Sequence, residues 1–363
     1  MRKRIILTAI ILIISFFVVR SAARIFNFVP FLFELVFNRE VKVKTENQRL
    51  NILLLGVGGG THDGPNLTDT IIIASISPKN DKISLISLPR DLWIPDLKAK
   101  INTAYSSGEA RKKGGGIVLA QAVAKKVTNL PIDYTLRIDF SGFVKAIDLL
   151  GGIDVNVENS FDDFEYPIEG KENDPCGHSE DELESLATAS SQLEAFPCRY
   201  EHIRFDKGLV HMDGETALKF VRSRHAEGPE GSDFARSKRQ EKVINAFKDK
   251  ALSLQMFLNP GKFLDLFDVL SASIDTNIKQ DEFDDFVRLA QKLQAAKFKS
   301  VVVDTGDKEK NRDGLLLNPE SNEIYNYEWV LIPRVGNGNY KEIKDYIDCE
   351  LIKDNCSLPK ISQ

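Results

Sequence analysis

Leu50-Asn51-Ile52-Leu53-Leu54-Leu55-Gly56-Val57 decides the fold. An unbroken apolar run of this length, bounded by polar residues and a glycine loop, is what a strand covered on both faces needs. Two further runs follow, Thr70–Ile76 (TIIIASI) and Lys82–Leu88 (KISLISL), joined by the turn residues Ser77-Pro78-Lys79-Asn80-Asp81. Downstream, Gly115–Val127 has helical periodicity, Tyr134–Ile138 reads as a strand, and Ser141 is placed to cap a helix bearing Phe143, Ile147 and Leu150. That helix stops at Gly151-Gly152, and Ile153–Val157 alternates as a strand. Asp213 caps a further helix through Ala217 and Leu218. Strands alternating with helices predict an α/β layered domain.

Phe161–Pro197 is acidic and cysteine-flanked and is expected to be a surface insertion at about 160–200. Beyond Pro260 a helix is expected over Asp281–Ala296, strands over Lys299–Asp304 and Trp329–Ile332, and a last helix near Tyr340–Leu351. No proline-rich linker separates 256–363 from the 48–255 core, so this extension is expected to pack on the same domain.

The chain has 363 residues, 42% of them hydrophobic, and a formal net charge of −5. It can bury a sizeable core, and its mild acidity speaks against a nucleic-acid partner. Met1-Arg2-Lys3-Arg4 is basic and Ile5–Val19 carries no charge. Fifteen apolar residues are short for a bilayer span of about 20, but flanking arginines can snorkel to the headgroups. Residues 1–24 are expected to be an uncleaved signal-anchor with its N-terminus in the cytoplasm; a cleaved signal peptide is the alternative. Residues 25–47 then form a juxtamembrane segment and linker, and the globular domain lies outside a single-pass cell membrane. Four cysteines fit that side. Cys176–Cys198 and Cys349–Cys356 are local pairs, expected as disulfides, with zinc or buried free thiols as the rival readings.

The chemistry concentrates in Phe220–Gln240, FVRSRHAEGPEGSDFARSKRQ. If Val221–Arg224 is extended, Arg222 and Arg224 point to one side; if Ser237 onward is helical, Arg236, Arg239 and Gln240 share a face. Pro89-Arg90-Asp91 adds a second basic fork upstream. Guanidinium forks suit bidentate contact with phosphate oxygens, so the stretch reads as one wall of a polyphosphate site. Glu227, Glu230, Asp233 and Glu241 are interleaved, so a solvated, salt-bridged helix is the bland alternative. The loop Gly58–Pro65 lets backbone approach a ligand closely, but no Gly-Lys-Ser/Thr follows to make it a nucleotide loop.

Nine motifs occur in order: Asn51–Gly56, Thr68-Asp69-Thr70-Ile71, Leu88–Asp91, Lys100–Tyr105, Asp139–Phe143, Leu150–Val155, Met212–Leu218, Val221–His225 and Arg236–Gln240. Each alone is weak; together they resemble the LytR-CpsA-Psr family of envelope glycopolymer transferases, over about Asn51–Phe247 and weakly to Leu351. The resemblance implies a three-layer α/β/α sandwich around a mixed sheet. It implies transfer of a glycopolymer from a polyprenyl-pyrophosphate carrier to a cell-wall acceptor such as peptidoglycan, through a phosphodiester and assisted by magnesium. Arg90, Arg222, Arg224 and Arg236 carry over as the family's arginines, Gln240 as its glutamine, Lys100 as its lysine and Asp69 as the aspartate of its D-T-I motif. Where the family usually has the aspartate of L-L-G-x-D, this chain has Gly58, and Asp63 in the lengthened loop is the nearest replacement, so Asp69 and Asp63 are the expected metal pair.

Splitting a pyrophosphate diester is mostly electrostatic work. Arg90, Asp69, Asp91, Arg222 and Arg224 are therefore the catalytic candidates, with Lys100, Arg236, Arg239 and Gln240 on the substrate. Asp91 has two open readings, catalytic base or structural partner of Arg90.

Overall fold

The computed structural model describes residues 49–353 apart from 61–63, 78–81, 187, 188, 190, 254–259, 308–311 and 321–322, together with Cys356 and Leu358. The expected N-terminal anchor and linker (1–47), the 78–81 turn and Asp63 lie outside the described residues. Among the described residues no helix is long and apolar enough to cross a membrane.

A six-stranded mixed sheet forms the centre, in the order Ile274–Thr276, Tyr134–Asp139, Leu50–Val57, Thr68–Ser77, Lys82–Ser87, Lys297–Val302. The three apolar runs at the start of the domain pair antiparallel with their sequence neighbours. Tyr134–Asp139 pairs parallel to Leu50–Val57, and Lys297–Val302 parallel to Lys82–Ser87. The parallel pairs require crossovers. One is the helical stretch Ala104–Arg111 and Gly115–Thr128.

Because strand side chains alternate, each central strand feeds two cores. Leu53, Leu55, Ile71, Ile73 and Ile86 pack with Ala120, Val123 and Val127 and with Ile343 and Ile347 of the helix Lys341–Ile352. On the opposite face Ile52, Ile72, Ala74, Ile83 and Leu85 meet Leu289 and Leu293, and Ile244 packs against them. Helices thus cover both faces of the sheet. The segment after Pro260 supplies both edge strands, and so is woven into the same sheet.

Several local expectations are corrected. The helix Phe140–Leu149 is capped by Asp139, which accepts from the Gly142 amide at 2.8 Å, so Ser141 lies inside its first turn. Trp329 lies outside any strand; Ile332–Pro333 pairs instead with Leu316–Leu317, and Leu331 bridges to Leu92. The segment Pro260–Ser273 is a helix that the sequence reading passed over. Ile153–Val157 forms its own two-stranded ribbon with Gly208–Met212 rather than joining the central sheet. The expected insertion begins later than Phe161, because Phe161–Pro167 pairs with Tyr200–Phe205 and buries Phe161, Asp163 and Tyr166. The Sγ atoms of Cys176 and Cys198 stand at bonding distance with Cα atoms 5.6 Å apart, as do those of Cys349 and Cys356 with Cα atoms 6.1 Å apart. Both spacings suit a disulfide.

Candidate active site, an arginine-lined cleft

Four elements end at one place. Asp69 and Thr70 open the strand Thr68–Ser77, and Arg90 follows the strand Lys82–Ser87. Arg222 closes the helix Gly214–Arg222, whose start is fixed by the Asp213 carboxylate accepting from Thr216 N. Arg236 and Gln240, one turn apart, lie on the helix Asp233–Ala251, capped by Ser232. These residues, with Arg224, line a cleft of about 170 Å³. Phe140, Tyr166, Pro167 and Val221 add apolar surface to the lining, beside Asp163 and His225.

The two arginines of Val221–Arg224 do converge, but not as an extended pair. Arg222 is the last helical residue, and the chain turns out at Ser223. The turn is fixed by Asp163, fully buried, which accepts from Ser223 Oγ at 2.7 Å and from the amides of Arg224 and His225 at 3.2 Å each. Arg222 lies over the Phe140 ring at 4.3 Å and donates to Tyr166 Oη at 3.3 Å. A guanidinium held over an aromatic face is oriented without losing its charge.

The acids are arranged to hold the cations apart. Asp69 accepts from Arg90 Nη1. Asp91, nearly buried, sits between three cations: Lys100 Nζ at 3.3 Å, Arg90 Nε at 3.6 Å and Arg224 Nη2 at 3.7 Å. Arg236 pairs with Asp233 at 2.8 Å, and Gln240 donates to Thr70 Oγ1 at 3.3 Å. The balance remains positive. Burial, then the nearby charges of Arg236 and Arg90, pull the Arg224 guanidinium down to about 10, with Asp233 and Asp91 opposing. Burial also raises Tyr166 to about 12, against the pull of Arg222. A site in which like charges are forced together favours a polyanion that supplies the missing negative charge.

Arg239 departs from expectation. It is buried and turned away from the cleft, donating to Phe220 O, Ser223 O and Glu230 O at 3.0, 2.7 and 2.8 Å and to the Glu230 carboxylate at 3.2 Å. It braces the loop that carries Arg224, and the i, i+3, i+4 rule that grouped it with Arg236 and Gln240 is overridden by these partners. Lys100 lines an adjoining recess with Gly58, Asp69, Arg90 and Asp91. Its ammonium also pairs with Glu328 at 3.3 Å.

Asp163, Phe140 and Tyr166 were missed by the sequence reading. The alternation of Phe161, Asp163 and buried neighbours was the available signal, masked by the acidity of the flanking residues.

For magnesium, which keeps several waters and needs only one or two carboxylates, Asp69 is a suitable donor: its side chain is 28% exposed and borders the cleft and the Lys100 recess. Asp63, the expected second donor, is outside the described residues. Among the described residues, the one group of three acidic, histidine or cysteine side chains close enough to share an ion is Asp174 with the paired Cys176 and Cys198, far in sequence from this cleft.

A solved structure of a Streptococcus agalactiae protein superposes with a TM-score of 0.53 at 23% identity, covering 88% of this chain and 95% of that one. The structure titled "TagT bound to LIIa-WTA" superposes with a TM-score of 0.51 at 18% identity, covering 86% and 96%. At these identities the likeness is one of fold. A Bacillus cereus relative named polyisoprenyl-teichoic acid–peptidoglycan teichoic acid transferase TagU is 28% identical over 251 residues, covering 68% of this chain and 66% of the relative. This chain therefore spans slightly less than two thirds of that relative's length. A family model matches residues 34–326, most of the chain, and by that match the chain belongs to the LytR_cpsA_psr family.

Proposed function

We propose that this chain is an extracytoplasmic phosphotransferase that moves a glycopolymer from a polyprenyl-pyrophosphate carrier to an acceptor hydroxyl of the cell wall, peptidoglycan or a similar polymer. The observation that carries this reading is the convergence of Arg90, Arg222, Arg224 and Arg236 on one cleft whose lining also includes the apolar surface of Phe140, Tyr166, Pro167 and Val221. A pyrophosphate with an apolar tail has that complementarity. The name of the Bacillus cereus relative supports the same reaction.

In this mechanism the arginines hold the non-bridging oxygens of both phosphates. The acceptor oxygen attacks the phosphorus that bears the glycan. A new P–O bond forms, the bridging P–O bond breaks, and polyprenyl phosphate leaves with the electron pair. Arg222 and Arg224 take up the charge that develops on the leaving group, work worth about 2–4 kcal/mol per donor in comparable sites. Asp91 sits between Lys100, Arg90 and Arg224 and spaces these cations. Asp69 would either take the acceptor's proton or help hold magnesium. Magnesium, when bound, neutralises further phosphate charge.

The reading includes a membrane anchor at residues 1–24 with the domain outside, disulfides Cys176–Cys198 and Cys349–Cys356, and no nucleic-acid partner. The test is incubation of the full chain with a lipid-linked oligosaccharide, magnesium and peptidoglycan fragments; polyprenyl phosphate release is expected, and binding without release would defeat the enzyme reading. Gly58, where the family resemblance leads to the expectation of an aspartate, favours one second reading, a non-catalytic binder of the lipid-linked polymer, and the same assay separates the two.

A further inference from the structure

Beyond the arginine cleft the segment Glu323–Trp329 is unusual. Tyr327 is 73% exposed and Trp329 56% exposed, with Ile324 beside them in sequence at 67%. Large aromatics left in water in a group mark a contact surface. Asn326 and Tyr327 both hold left-handed backbone, φ +55° and +58°. For a tyrosine that region is costly, and strained residues of this kind persist where the surrounding structure imposes them, commonly at binding sites.

The surroundings impose it from both sides. Tyr325 is buried edge-on against Trp93 at 5.4 Å, and Leu331 N donates to Asp91 O at 2.9 Å. Between these anchors Glu328 reaches Lys100, the lysine of the recess shared with Asp69 and Arg90. Tyr327 and Trp329 thus flank the one residue of the segment that is tied to the site.

We infer that Tyr327 and Trp329 form a carbohydrate platform for the sugar rings of the acceptor, next to the phosphate site on its Lys100 side. A pyranose has an apolar C–H face that stacks on an aromatic ring and a rim of hydroxyls. Tyr and Trp supply the face together with a polar tip, while the exposed Glu323, Asn326 and Glu328 supply partners for hydroxyls. The acceptor is favoured over the donor because the cleft's apolar surface, suited to the donor's lipid, lies with Arg222 and Tyr166 rather than with Lys100. A membrane surface is disfavoured because Glu323 and Glu328 are exposed in the same segment as the aromatics, and anionic lipid repels them.

The inference rests on the proposed transferase reading, and its test separates the two. The chain has two tryptophans, and Trp93 is buried at 1% exposure, so emission from Trp329 reports on the patch. With the full chain in detergent, chitotetraose and muramidase-released peptidoglycan fragments should quench that emission saturably, and Trp329→Phe should remove the signal. In turnover assays Tyr327→Ala with Trp329→Ala should raise the acceptor KM at least tenfold, leaving the donor KM unchanged, while Trp329→Phe stays within about threefold of wild type. Turnover with unchanged acceptor KM and no quenching overturns the platform and leaves the transferase standing. Quenching by sugar without any polyprenyl phosphate release leaves a glycan platform and removes the transferase. Quenching by bromine-labelled lipid in nanodiscs, or by raising protein concentration, before sugar is added assigns the patch to the membrane or to a second copy and overturns the inference.

Discussion

Asp163 holds Arg224 through its backbone and not through its charge. The buried carboxylate accepts the Arg224 amide at 3.2 Å, with Ser223 Oγ and the His225 amide on the same oxygen, while the Arg224 guanidinium reaches into the cleft toward Asp91. One acid therefore sets the loop and another spaces the cations. Asp163→Asn would turn an N–H toward those donors or leave at least one without an acceptor. The expected cost is about 2–4 kcal/mol of stability, seen as a lower denaturation midpoint, together with reduced turnover. Wild-type stability and activity in that variant would show that the loop is held by other means.

Arg222→Ala and Arg224→Ala should abolish turnover with little loss of stability, because in the proposed reaction these side chains serve a ligand. Lysine should rescue only partly, since it cannot make the fork. The Arg224 guanidinium has a folded value of about 10, below that of a free guanidinium. Its charged form thus opposes folding at every pH below about 10, and the opposition fades above that. A bound polyanion removes the opposition. Adding inorganic pyrophosphate at pH 7 should raise Tm for wild type and much less for Arg224→Ala; equal shifts would place the anion elsewhere.

The sheet was legible because its central strands are long, apolar and covered on both faces, which leaves Leu50–Val57 no other use. The edge elements were not, since short strands such as Ile274–Thr276 take their conformation from neighbours rather than from pattern. At the site, residue type was readable and direction was not. Arg222, Arg236 and Gln240 were found by motif order, but nothing in RSKRQ says that Arg239 faces Phe220 O and Ser223 O while Arg236 faces the cleft. Asp163 was hidden because its role depends on a loop sixty residues away in sequence.

Arg239 is accordingly predicted to behave as a structural residue. Arg239→Gln leaves buried carbonyls and the Glu230 carboxylate short of donors, which should cost about 2–5 kcal/mol. Chemical denaturation should show the loss, and substrate KM in the surviving folded fraction should change little. A variant of native stability that loses only substrate affinity would return Arg239 to the ligand site.

The cysteine pairs are predicted to be oxidised in material exported from the cell. Each closed loop should contribute roughly 2–4 kcal/mol, so reductant should lower Tm without changing turnover at low temperature. Peptide mapping under non-reducing conditions checks the pairing directly, and four free thiols would reject it.

The last prediction concerns Gly58, where the family resemblance leads to the expectation of an aspartate. Gly58 lines the recess with Asp69, Arg90, Asp91 and Lys100. If Asp69 holds magnesium largely with substrate oxygens, the ion has few protein carboxylates and should bind weakly. Gly58→Asp adds a carboxylate to the recess that Asp69 also lines and should lower the magnesium concentration for half-maximal turnover severalfold. Asp69→Asn should raise that concentration by a larger factor. Were Asp69 instead the proton acceptor, Asn there would lower turnover at saturating magnesium and remove the acid limb of the pH profile, leaving the magnesium requirement alone. Asp63→Asn completes the set: a change matching Asp69→Asn assigns the lengthened loop to the metal. An unchanged magnesium requirement leaves Asp69 as the protein's carboxylate at this site, and in that case Gly58→Asp should give the larger gain.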